Sequence, residues 1–123
     1  MHKIHADFDK MIQSHSRWKF HLKDVIEHGK SDLVIADVRN SHLCLFGQWL
    51  DSAEGRKLPY YKELVELHRE FHNEAANILQ MAVNAQKEKA LEKMKLASHF
   101  NQIAAKLINK IADIKRDNVI KSK

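Results

Sequence analysis

Four side chains able to coordinate a metal, His15, Cys44, His68 and His72, carry the only concentrated chemistry in this chain. His68 and His72 are four residues apart, so on a helix both imidazoles leave one face a single turn apart, close enough for one ion to bridge them. Alone the pair says little. Histidines at this spacing are more often surface coincidences than ligands, and H-x-x-x-H here lacks the glutamate of a zinc-protease helix. His15 taken singly reads more readily as a core histidine bonded to a backbone carbonyl, and Cys44 as a small buried hydrophobe. Together they make three imidazoles and one thiol on the inward stripes of three helices, and one tetrahedral site is more economical than four coincidences. Such a donor set, without a carboxylate, suits Zn²⁺, whereas a di-iron bundle needs inward glutamates. Glu63, Glu66, Glu70 and Glu74 fall on the outer face of their helix. Four protein donors leave no position for a catalytic water, so the expected site is non-catalytic.

The elements that must position these residues are read from periodicity. Three glycines and one proline in 123 residues, with apolar residues recurring at three and four, predict an all-α chain. In the first helix Ile4, Phe8, Met11, His15, Trp18, Leu22 and Val25 step by four and three, a seam facing a core with His15 in its middle. Gly29 falls where a helix end needs positive φ. Residues 30 to 40 predict a loop or a short helical turn. A second helix is predicted from an N-cap at Asn40 or Ser41, through Cys44 and Trp49, to about Ala53, with Gly55 ending it.

The third helix follows Pro59, with an inner stripe of Tyr61, Leu64, Val65, His68, Phe71, His72, Ala75, Ile78, Leu79 and Ala82. A fourth, from about Lys87 to Asp117, buries Leu96, Phe100, Ile103, Leu107, Ile111 and Ile114. No linker or repeat divides the chain. The architecture predicted is a single domain over residues 1–123, an antiparallel four-helix bundle with a short extra helical turn or loop between the first two helices. Gly47, three residues after Cys44 and so on its helix face, is read as making room for the neighbouring helix and the metal. His42, His21 and His99 lie off the inward stripes and are excluded as ligands.

Composition narrows the function further. A single cysteine rules out an internal disulfide framework, and the charged start "MHKIHADFDK" has no signal-peptide core, which predicts a cytoplasmic protein. No apolar run approaches the roughly 18 residues of a membrane span, so no membrane insertion is expected. The 21 Lys and Arg against 16 Asp and Glu give +5, but the excess sits near the C-terminus without interleaved aromatics. It reads as a solvated face rather than a nucleic-acid site.

"HSRW" (15 to 18), "CLFGQW" (44 to 49) and "HREFH" (68 to 72), in this order and at these spacings, resemble the H-x-x-W, C-x-x-G-x-W and H-x-x-F-H signature of the chemoreceptor zinc-binding (CZB) domain family. The resemblance places the family's zinc ligands on His15, Cys44, His68 and His72, and its supporting positions on Trp18, Gly47, Trp49 and Phe71. It implies a regulatory module of bacterial chemotaxis or cyclic-di-GMP signalling, a four-helix bundle able to form homodimers. Such a module senses zinc or oxidants such as hypochlorous acid through a zinc-thiolate, and passes the signal to an output domain or chemotaxis protein. This chain carries neither a methyl-accepting region nor a cyclase domain, so it is an excised domain or a stand-alone member, and Met1 favours a natural start. Two other classes stay open on sequence: a zinc-stabilised interaction module without sensing, and a metal-dependent enzyme with an open site.

Overall fold

The computed structural model describes residues 8–95 and 98–121. Ile4 and Leu96 of the predicted apolar stripes lie outside the described residues. Among the described residues there is no strand, and three long helices carry most of the chain: α1 (Phe8–His28), α5 (Tyr61–Val83) and α7 (His99–Lys121). Four shorter helices complete it: α2 (Ile35–Arg39), α3 (Leu45–Leu50), α4 (Ala53–Arg56) and α6 (Lys87–Lys93), with a 3₁₀ turn over Ser41–Leu43.

The long helices follow the predicted stripes. α1 buries Met11, His15, Leu22, Val25 and Ile26 and leaves Phe8 and Trp18 half-buried. It stops where Gly29 turns to φ +72°, its N–H still donating to the Val25 carbonyl at 2.6 Å. An L-residue with a Cβ would be strained in that conformation. α5 buries Leu64, His68, Phe71, His72, Ala75, Ala76, Ile78, Leu79 and Ala82, the period of one inward face. α7 contributes Phe100, Ile103, Leu107, Ile111 and Ile114, all buried. The Phe71 and Phe100 rings stack with centroids 5.4 Å apart, joining α5 to α7. Burying each ring fully is worth about 2 kcal/mol.

Side-chain pairs give the directions. Lys115, late in α7, meets Asp9 at the start of α1. Tyr60, just before α5, lies under the Lys110 ammonium, while Glu70 further along meets His99 at the start of α7. α7 is therefore antiparallel to both α1 and α5, which run parallel to each other.

Two predicted helices are broken. Residues 40 to 53 are not one helix, because Cys44 adopts an extended conformation (φ −88°, ψ 156°) between the 3₁₀ turn and α3. Ser52 restarts the chain as N-cap of α4, its Oγ accepting from the Gly55 N–H. Likewise 87 to 117 divides between α6 and α7. There the Ser98 Oγ accepts from the Asn101 N–H at 3.3 Å, and the buried Asn101 amide donates to the carbonyls of Met94 at 2.9 Å and Lys95 at 2.6 Å. Those bonds satisfy the end of one helix and the start of the next. The short helical turn expected between 30 and 40 is present as α2, packed on α5. No helix among the described residues is long and apolar enough to cross a membrane.

Candidate metal centre

His15 comes from the middle of α1, His68 and His72 from successive turns of α5, and Cys44 from the N-cap of α3. One ligand atom from each of the four lies within 4.8 Å of all the others. Nε2 of His68 is the hub, 3.0 Å from Nε2 of His72, 3.3 Å from Nε2 of His15 and 3.2 Å from Sγ of Cys44. Tetrahedral zinc with its usual bond lengths sets such atoms roughly 3.3 to 3.6 Å apart. The donor set therefore fits the ion.

The hydrogen bonds behind the imidazoles decide which way their lone pairs face. Nδ1 of His15 donates to the Met11 carbonyl at 2.7 Å, and Nδ1 of His72 to the Val38 carbonyl at 2.9 Å. A carbonyl only accepts, so in each neutral ring the proton sits on Nδ1 and Nε2 presents a bare lone pair. Two lone pairs and the sulfur thus converge on His68 Nε2. A single N–H there could satisfy just one of them, whereas a cation at the centre satisfies all four donors.

Burial sets the protonation of the site before any metal enters. His15 and His68 are 3% and 2% exposed. Phe46 and Phe71, both fully buried, wall them in, with ring centroids 5.0 Å from His68 and 5.1 Å from His15 respectively. Desolvation lowers His15 from 6.5 to about 4, against the opposing pull of the Met11 carbonyl and with help from His72. Desolvation lowers His68 further, to about 2, with neighbouring His72, His15 and His42 adding repulsion. His72 is lowered for the same first reason, opposed by the Val38 carbonyl. Burial raises the Cys44 thiol, while the N–H groups of Gly47 and Phe46 pull it the other way. At neutral pH the metal-free site holds three neutral imidazoles and a protonated thiol.

Of the expected supporting residues, Phe71 meets two of the donors, His15 and His72. Trp49 packs edge-on to Phe8 of α1 at 5.2 Å and stacks on Phe46 at 6.1 Å. Trp18 is half-buried with its ring edge-on to His21, and Phe71 lies between His15 and Phe100. Gly47 makes room, but not for the neighbouring helix or a metal: a Cβ there would lie 1.9 Å from the Ser41 carbonyl oxygen. What it admits is the backbone of the 3₁₀ turn. Its N–H is capped by Cys44, donating to Sγ at 3.4 Å.

The excluded histidines are elsewhere engaged. His42 is exposed and bonded to Asp51 at 2.8 Å, His99 to Glu70 at 3.2 Å, and His21 is exposed on α1. Sequence reading missed the carbonyls of Met11 and Val38. The first had a local signal, since a helical His at i can reach the carbonyl at i−4. The second had none, because it depends on where α2 docks. One side of the centre opens: His15, Cys44, Trp18, Leu33 and Leu45 line a groove of about 610 Å³ between α1 and the start of α3.

The family model of the chemoreceptor zinc-binding domain matches residues 15–79, a span holding all four convergent residues and all four supporting ones. No curated protein and no solved structure matches the chain. With over half of its length covered by that family model, and a His-Cys-His-His group assembled inside the matched span, the chain belongs to the chemoreceptor zinc-binding domain family.

Proposed function

We propose that residues 1–123 act as a non-catalytic sensory module holding one Zn²⁺ through Nε2 of His15, His68 and His72 and Sγ of Cys44. The observation that carries this reading is the convergence of four donors within 4.8 Å, two of them pinned with their lone pairs inward by backbone carbonyls. Zinc supplies a fixed point joining α1, α5 and the Cys44 turn. Four protein donors fill a tetrahedral ion and leave no site for a reacting water, so the metal is a reporter and not a catalyst.

Metal analysis tests the assignment. The purified chain retains one zinc per protomer, Cys44→Ser and His72→Ala lose most of it in competition with a chelator, and His42→Ala keeps it. Equal loss in the His42 variant overturns the ligand set.

The signal is read at the sulfur. Cys44 is half-buried and lines the groove, so small solutes reach it, while His68 and His72 lie outside the groove lining. A two-electron oxidant such as hypochlorous acid converts the thiolate to a sulfenic acid, a weaker donor, and is itself reduced to chloride. The turn at Cys44 is then released from α1 and α5, and a homodimeric partner or signalling output domain reads the shift. Zinc availability alone gives the same release. Adding one equivalent of hypochlorous acid to zinc-loaded protein, while following zinc with a chromogenic chelator and Cys44 by mass spectrometry, separates the two. Bound zinc and unmodified Cys44 leave zinc availability as the signal.

A further inference from the structure

We infer that Arg39 is a positioning residue for the metal centre: through Asn77 and Asn73 it locks α2 onto α5, so that the Val38 carbonyl holds His72 in the tautomer whose Nε2 faces the other donors. The inference rests on the zinc reading above for its consequence, but its geometry is independent of any metal.

α2 has five residues, and its N-cap, Val34, makes no side-chain capping bond. A helix of that length has no stability of its own, so its place is set by what it touches. Three contacts tie it to α5. Val38 is buried, its carbonyl accepts from His72 Nδ1 at 2.9 Å, and the next residue, Arg39, donates from Nη1 to Asn77 Oδ1 at 2.9 Å and to Asn73 Oδ1 at 3.5 Å. Asn73 follows His72 directly and Asn77 lies one turn further along α5, so the guanidinium grips the same stretch of helix that carries the ligand. Arg39 and the Val38 carbonyl therefore share one register. A slip of α2 by one residue removes both.

The consequence for His72 is chemical. Without an acceptor at Nδ1 the neutral ring has no reason to keep its proton there, and the Nε2–H tautomer competes. That form offers an N–H where a lone pair is required. Removing an outer-shell partner of a metal-bound histidine weakens metal binding by about 10- to 100-fold. Arg39 acts one step further out, so the low end of that range applies.

The test compares R39A, N77A and N77D with wild type and with K115A, which breaks the exposed Lys115–Asp9 ion pair remote from α2. Zinc dissociation constants come from competition with a chromophoric chelator. The proton position on His72 comes from side-chain ¹⁵N shifts of the chelator-treated, metal-free protein. R39A and N77A should each raise the dissociation constant about tenfold and shift His72 toward Nε2–H while His15 stays Nδ1–H. N77D keeps an oxygen for Arg39 and should behave as wild type, as should K115A. Unchanged affinity in R39A and N77A, weakening without a tautomer change, or an N77D variant as loose as N77A each overturns the inference. If R39A fails to fold by circular dichroism, N77A and N77D decide it. A wild type that binds no zinc refutes the functional reading instead, and the tautomer arm still judges Arg39.

Discussion

Acid should unfold the metal-free chain well before its surface charges would require it. Burial holds His15 neutral down to about pH 4 and His68 down to about pH 2, while the same side chains in the unfolded chain take up a proton near 6.5. Between those limits the unfolded state binds more protons than the folded one, so stability rises with pH and is lost as pH falls below 6.5. His72, also lowered, adds the same sign. At about 1.4 kcal/mol per pH unit for each proton, His15 alone removes about 3 kcal/mol by pH 4. With His68 the slope near pH 5 approaches about 3 kcal/mol per pH unit, and the two together remove about 6 kcal/mol by pH 4, enough to exhaust the lower end of a typical domain stability of roughly 5 to 15 kcal/mol. His28, raised by the Asp24 carbonyl and carboxylate, acts in the opposite direction but is fully exposed and too screened to compensate. Urea midpoints followed by far-ultraviolet circular dichroism in chelator at pH 7, 6 and 5 measure the slope. His15→Leu should flatten it by about 1.4 kcal/mol per pH unit. A stability constant from pH 7 to 5, or a slope indifferent to His15→Leu, refutes the argument.

Two further outcomes follow from the same site. Because the imidazoles are neutral and the Cys44 thiol is protonated at pH 7, zinc binding should release close to one proton per ion, measured by calorimetry in buffers of different ionisation enthalpy; two or more would show that an imidazole starts charged. Gly47→Ala drives a Cβ to within 1.9 Å of the Ser41 carbonyl oxygen, backbone against backbone, and should destabilise the metal-free chain by about 3 kcal/mol, lowering Tm by about 10 °C. A Tm equal to wild type means that the 3₁₀ turn yields freely.

The long helices and the four convergent residues were legible because both rest on one quantity, the angular position of a side chain on a helix. His15 sits on the α1 seam and His68 and His72 on the α5 stripe, and burial follows those stripes closely. Cys44 joins the convergent group, but not through a helix face. It lies in the turn before α3, where its sulfur caps Gly47, so the helix-face argument that excluded His42 does not apply; His42 points away because Asp51 holds it. A Cys or Ser N-cap interrupts an apolar pattern without changing its composition, and for that reason the breaks at Cys44 and Ser98 passed unseen. The docking of α2 was equally hidden, since "DLVIADVRN" has no period that says which carbonyl will face a histidine 34 residues away.

The metal-free site works against the fold that builds it. Three imidazoles are desolvated without charge, two are locked so that their lone pairs meet at a third, and a thiol is kept protonated beside them. Each of these arrangements costs stability in the absence of a cation, and each is what a cation requires of its ligands. The apolar contacts that oppose this cost lie along α5 and α7, from Phe71 and Phe100 through Ile78 and Leu107, and are made by apolar side chains, of which Phe71 also meets the rings of His15 and His72. The chain thus separates the task of folding from the task of binding: the helices stand on their own core, and the centre remains strained until an ion relieves it. A site at rest only when filled is suited to reporting whether it is filled.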